Sequence, residues 1–308
     1  MTKRFKSAGI APILILFVFL MTVVVRVFDL TSGKTADEIF ARTVVSQIVI
    51  FALPALFYCK TRSDSYFTNI PISTMQVSRV IFIFYALAVL VSGSMLIQYG
   101  VYAIGGSAYS VSTTGQEISA ISRQSGFGYV FLALGLLPAI CEEFVFRGIL
   151  LYEYSQYGKF CAITFSSLAF AMLHFSLSGF LSYFFCGLVL GFSFYVTQNL
   201  LVNILLHLAS NIFSIYVMPL VSQMILGAGN VFFMLFLIGA FFIFSLAMFF
   251  REASIVYWEY AVGDAKMKIS NHDTKKGRTN GIYAISEVFL SPVFLICALL
   301  FIIMSLTL

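Results

Sequence analysis

The chain has 308 residues, 60% of them hydrophobic and 10% charged, with a formal net charge of +5. Soluble domains carry about 25% charged residues, so this chain has too little polar surface to coat a water-soluble fold. Its cations are dispersed among apolar runs rather than gathered into a basic face, which excludes a nucleic-acid partner and leaves the lipid bilayer as solvent.

A membrane-crossing helix needs about 20 largely apolar residues. Nine stretches qualify, at 9–28, 44–60, 80–100, 128–152, 160–177, 179–198, 200–222, 230–250 and 286–307. The expected fold is an all-α, polytopic transmembrane helix bundle. Eight spans also fit, because only the turns around Ser178–Gly179 and Gln198–Asn199 divide the fifth, sixth and seventh stretches. The first stretch follows a basic tail and is too long for a signal-peptide core. No small-residue cleavage site follows it, so it reads as a retained span.

Loop charge sets the topology. Cations lie in the tail (Lys3, Arg4, Lys6), after the second stretch (Lys60, Arg62, with Arg79 at the far end) and between the last two (Arg251, Lys266, Lys268, Lys275, Lys276, Arg278). With nine alternating spans all three groups fall on one side, which puts the N-terminus in the cytoplasm and the C-terminus outside. Three units follow: membrane helices and loops over 1–125, a helix bundle carrying the polar motifs over 126–222, and C-terminal helices over 223–308. The last unit includes a polar cytoplasmic loop at 253–285, where His272 reads as a solvated histidine. No internal repeat is visible, so the inverted halves common in transporters find no support. The five cysteines form no CxxC pair, which argues against a disulfide framework or a zinc ribbon. They read as small buried hydrophobes, with Cys141 the one reactive candidate because it adjoins two carboxylates.

Ionisable residues inside spans are costly and mark functional sites by default. Between Phe160 and Phe250 there is no acid, lysine or arginine, yet two of the chain's three histidines, His174 and His207, lie there. The fourth stretch holds Glu142, Glu143 and Arg147 together. Glu143 and Arg147 are four residues apart with the acid first, the favourable order for a helical ion pair. Glu142 lies about 100° around the helix and faces another partner. Phe170 stands one turn before His174, where its ring packs beside the imidazole. His207 and Asn211 share one helix face, and Asn203 extends that polar stripe by a turn. A carboxylate with an imidazole can hold a water and take its proton, while an imidazole and an amide can donate to a developing oxyanion. Hydrolysis of an amide suits that set. Neither a GxSxG nucleophile nor an HExxH zinc motif occurs. The bland alternatives are a structural Glu143–Arg147 pair and a histidine that merely bonds across helices.

Glu142-Glu143-x-x-x-Arg147, Phe170-x-x-x-His174 and His207-x-x-x-Asn211, in that order on successive helices, resemble the type II CAAX prenyl protease family. These are intramembrane endopeptidases, also called the CAAX protease and bacteriocin-processing (Abi) family. The resemblance covers roughly 128–220. It implies a membrane-embedded protease in which Glu142 and His174 activate water, His207 and Asn211 stabilise the oxyanion, and Glu143 with Arg147 supports the site. Members are often labelled metalloproteases. Zinc ligands are available in Glu142, His174 and His207, but the residues do not require a metal, and metal-independent activation is the favoured reading. The implied partner is a peptide or protein substrate, prenylated or membrane-inserted. The family also contains non-enzymatic bacteriocin self-immunity and scaffold proteins, which is the alternative reading. A proton-coupled transporter using Glu142 and His174 as a relay is a third.

Reporters fused in the tail and within 266–278 are expected to label the same side of the membrane. A reporter within 223–229 should label the other side.

Overall fold

The computed structural model describes residues 11–31, 33, 35–62, 70–72, 78–105, 126–227, 231–262, 286 and 288–307. The tail cations, Arg123, those of 266–278 and His272 lie outside the described residues. Nine apolar helices are present among the described residues: α1 (Ala11–Val27), α2 (36–62), α3 (Ser78–Gly105), α4 (Phe127–Tyr154), α5 (Lys159–Leu173), α6 (Phe180–Thr197), α7 (200–227), α8 (Val231–Val262) and α9 (Pro292–Thr307). Six of them, α2, α3, α4, α6, α7 and α8, are long and apolar enough to cross a membrane. The other three are shorter.

The helix ends differ from the apolar runs for local reasons. α2 starts at Ala36, well before its apolar run, because the Thr35 side chain accepts a hydrogen bond from the Glu38 amide and the first turn carries Asp37 and Glu38. A side-chain cap and acids at the positive end of the helix dipole support a polar first turn. α8 continues through Arg251 and Glu252 to Val262, so residues 253–262 of the expected loop are helical. No proline or glycine interrupts the sequence between Gly239 and Gly263, and polar residues alone do not end a helix. The remainder of that expected loop lies outside the described residues. α5 is shorter than its apolar run: it stops at Leu173, and Phe175 adopts a left-handed backbone with φ 46°. At the α6–α7 junction Gln198 is left-handed and the Asn199 side chain caps α7 by accepting from the Leu201 amide. α9 begins later than its apolar run, where the Ser291 hydroxyl accepts from the Phe294 amide and Pro292 opens the helix.

The helices pack in two groups around α4–α7. On one side α1, α2, α4, α5 and α9 share a core that includes Phe19, Phe51, Phe146, Phe165 and Phe301. On the other, α3, α6, α7 and α8 bury Phe82, Leu190, Leu206 and Phe249. α8 lies along α3 and turns Phe232, Phe236 and Ile243 outward, about 70% exposed. Such a face suits lipid, not water.

The closest interhelical approach that bears on the site joins α5 to α6. A Cβ on Gly187 would lie 2.9 Å from both the Cα and the Cβ of Ser167, and a Cβ on Gly191 would lie 3.2 Å from Ile163. Gly187-x-x-x-Gly191 is thus a small-residue stripe against which α5 seats, a packing mode common where lipid supplies no hydrophobic drive between helices. Gly187→Ala forces a backbone apart and is expected to destabilise the folded protein by about 1–3 kcal/mol, read by thermal unfolding in detergent.

Candidate active site

Glu142 and Glu143 end the regular stretch Leu137–Glu143 of α4, between two widened turns at Phe131–Leu136 and Phe144–Leu151. Pro138 accounts for the first. Its missing N–H leaves the Leu134 carbonyl without the usual partner, and the Leu137 amide instead reaches Leu132, five residues back. Widened turns of this kind recur at functional sites in helices.

Glu143 and Arg147 are both 0% exposed, and Arg147 Nη1 donates to Glu143 Oε1 at 2.7 Å. The same oxygen receives His207 Nδ1 at 2.8 Å, and Oε2 receives Asn203 Nδ2 at 3.1 Å. Because an Arg-paired carboxylate can only accept, His207 Nδ1 carries the proton. Arg147 Nη2 donates to the Gly187 carbonyl at 3.1 Å, and Asn203 Nδ2 to the Leu190 carbonyl at 2.7 Å. Glu143 therefore accepts three hydrogen bonds, at least one on each oxygen, and its partners tie α4, α6 and α7 together.

Glu142 differs. It is 8% exposed, and its Oε2 has no hydrogen-bond donor among the described residues. His207 Nε2 lies 4.0 Å from that oxygen, a separation that a bridging water spans. One acid is thus spent on structure, and its neighbour faces an imidazole with an open edge.

His174 follows the last residue of α5. Its Nδ1 meets the Phe170 carbonyl at 2.9 Å; a carbonyl only accepts, so Nδ1 donates and the lone pair of the neutral ring lies on Nε2. The Tyr183 ring stacks on the imidazole with centroids 3.9 Å apart and planes 18° apart. Arg26 Nη2, from α1, donates to the His174 carbonyl at 2.7 Å. Among the described residues no hydrogen bond joins His174 to Glu142. Phe170 joins His174 to the neighbouring network instead: its ring lies 4.9 Å from His174, 5.8 Å from His207 and 5.0 Å from the Arg147 guanidinium. Phe175, just beyond, holds a left-handed backbone that costs about 1–2 kcal/mol and needs external support.

Asn211 stands apart. Its Nδ2 reaches the Gly135 carbonyl of α4 at 3.5 Å, two turns before Glu142, whereas Asn203 on the same stripe enters the buried network. Sequence reasoning placed Asn203 on the stripe without a partner, and passed over Arg26 and Tyr183. For Arg26 the signal was present, since an arginine lies inside the first apolar stretch. Tyr183 is one of sixteen tyrosines in the chain and carries no comparable mark. No three His, Cys, Asp or Glu side chains among the described residues gather as metal ligands, so Glu142, His174 and His207 do not form a ready zinc triad.

Residues 124–213 match the family model for type II CAAX prenyl endopeptidases, Rce1-like. The matched segment contains all of Glu142, Glu143, Arg147, His174, His207 and Asn211, and runs from just before α4 into α7. That family is membrane-embedded, and with six long apolar helices the chain is a multi-pass membrane protein. The match indicates a protease. No curated protein and no solved structure matches the chain.

The two glutamates should separate in a stability measurement. Glu143→Gln leaves Arg147 buried against a neutral amide and is expected to cost about 3–5 kcal/mol in detergent unfolding. Glu142→Gln, which removes a charge with no protein donor, should cost far less.

Proposed function

We propose that the protein is an intramembrane endopeptidase that hydrolyses a peptide bond of a membrane-associated or lipid-modified peptide or protein. The observation that carries the reading is the Glu142 carboxylate, buried with an open oxygen 4.0 Å from an imidazole, beside a second glutamate that accepts three side-chain hydrogen bonds. Glu142 accepts the proton of a water held at that open edge, with His174 Nε2 as the second acceptor, and the resulting hydroxide attacks the carbonyl carbon. Negative charge then develops on the carbonyl oxygen. His207, carried as an imidazolium against the Glu143 carboxylate with its second proton taken from solvent before substrate binds, donates to it from Nε2, and the Asn211 amide is the second donor; the loose 3.5 Å contact of Asn211 leaves that amide available. Glu143 holds His207 in the charge state and orientation this needs, and Arg147 holds Glu143. The proton passes from Glu142 or His174 to the leaving amine, so that atoms and charge balance.

The family's name refers to prenylated CAAX substrates, and a prenylated C-terminal peptide is the first substrate to try. In liposomes, Glu142→Gln and His174→Ala are each expected to lower peptide cleavage by about 100-fold or more while the protein stays folded. Folded variants that cut as well as the wild type would sink the endopeptidase reading and favour a non-enzymatic immunity or scaffold role. Elemental analysis of the same preparations, with cleavage assayed after chelation, checks the metal-free route: persistence of cleavage is the expected result.

A further inference from the structure

His174 is held from three directions, and two of the holders lie on elements that no motif marks. Its own helix supplies the Phe170 carbonyl. α6 supplies the Tyr183 ring, stacked face to face on the imidazole. α1 supplies Arg26, which donates to the His174 carbonyl and lies over the Phe175 ring at 5.5 Å, while Phe19, two turns earlier on the same face, packs edge-on to that ring at 5.7 Å. The side chain of Phe175, the residue with the left-handed backbone, thus sits between an aromatic ring and a guanidinium of one helix. A turn after a helix end has few intrinsic restraints, so the direction of the imidazole there depends on such outside contacts.

We propose that Arg26 and Tyr183 are positioning residues for His174, which makes α1, outside residues 124–213, a working part of the site. Arg26 sets the height of the turn through the backbone; Tyr183 sets the plane of the ring. The inference rests on the reading of His174 as a proton acceptor alongside Glu142. Gly179 offers an independent handle, because a Cβ there would lie 2.6 Å from Tyr183 Cε2. Its backbone φ of −86° accepts alanine, so Gly179→Ala displaces the ring without altering either His174 or Tyr183.

Cleavage of a prenylated peptide in liposomes and NMR of protein labelled with 15N-histidine test this together. Arg26→Met, Tyr183→Leu and Gly179→Ala are expected to lower kcat by about tenfold or more with KM little changed, as for a misplaced reacting group. Tyr183→Phe, which keeps the stacked ring, should recover the loss caused by Tyr183→Leu, and Arg26→Lys part of that caused by Arg26→Met. In a His174→Ala background the same substitutions should add nothing. The His174 imidazole resonances, identified by their loss in His174→Ala, should shift in all three variants. Unmoved resonances in folded variants, or losses that add fully to His174→Ala, would overturn the proposal. The resonances report on position even if no peptide is cut, so failure of the endopeptidase reading is seen in the Glu142→Gln assay and failure of this one in the spectrum.

Discussion

A carboxylate buried at the centre of a membrane bundle is least costly where its charge is matched and both its oxygens accept hydrogen bonds. Glu143 meets both conditions through Arg147, His207 and Asn203, and much of the arrangement follows from them. Arg147 needs a further acceptor and finds it in Gly187, whose carbonyl is reachable because no side chain keeps α6 away from α5. Asn203 takes the Leu190 carbonyl in the same way. Three helices are thereby registered by polar contacts in a setting where apolar packing alone leaves them free to slide.

The two adjacent glutamates have opposite fates because neighbouring positions on a helix face directions about 100° apart. One points into the network of Arg147, His207 and Asn203, and the other towards an imidazole edge with a gap. Phe170 bridges what hydrogen bonds do not, with its ring against His174, His207 and the Arg147 guanidinium. His174 is therefore connected to the Glu143–Arg147–His207 network through one aromatic side chain.

Much of this was legible in the chain. Apolar run length marks membrane helices well, and each of the nine runs overlaps an apolar helix. The Glu143–Arg147 pair follows from spacing on one helix, and so does the packing of Phe170 on His174. The misses share a physical cause. Helix ends at Ala36 and Val262 depend on caps and on missing breakers, which hydropathy does not register. The choice between Asn203 and Asn211, the stacking of Tyr183 and the reach of Arg26 depend on how far one helix slides against another. Periodicity within a helix carries no information about that slide. The tail cations and those of 266–278 lie outside the described residues, and with no bilayer to orient the helices the topology rests on loop charge alone.

The shortness of α5 has a consequence for the membrane itself. Fifteen residues rise about 22 Å, against a hydrocarbon core of about 30 Å. A helix of that length does not cross such a core on its own, and the chain continues past it as the non-helical turn that begins at His174. Backbone in hydrocarbon must have its polar groups met by protein, and here the Arg26 guanidinium and the Ser176 hydroxyl serve the His174 carbonyl and the Gly179 amide. A bilayer relieves such a mismatch by thinning locally, while a long arginine side chain reaches for the headgroups. The turn at His174 is thus a place where the chain leaves the helix in apolar surroundings, and the protein contacts that meet its polar groups are what make that departure tolerable.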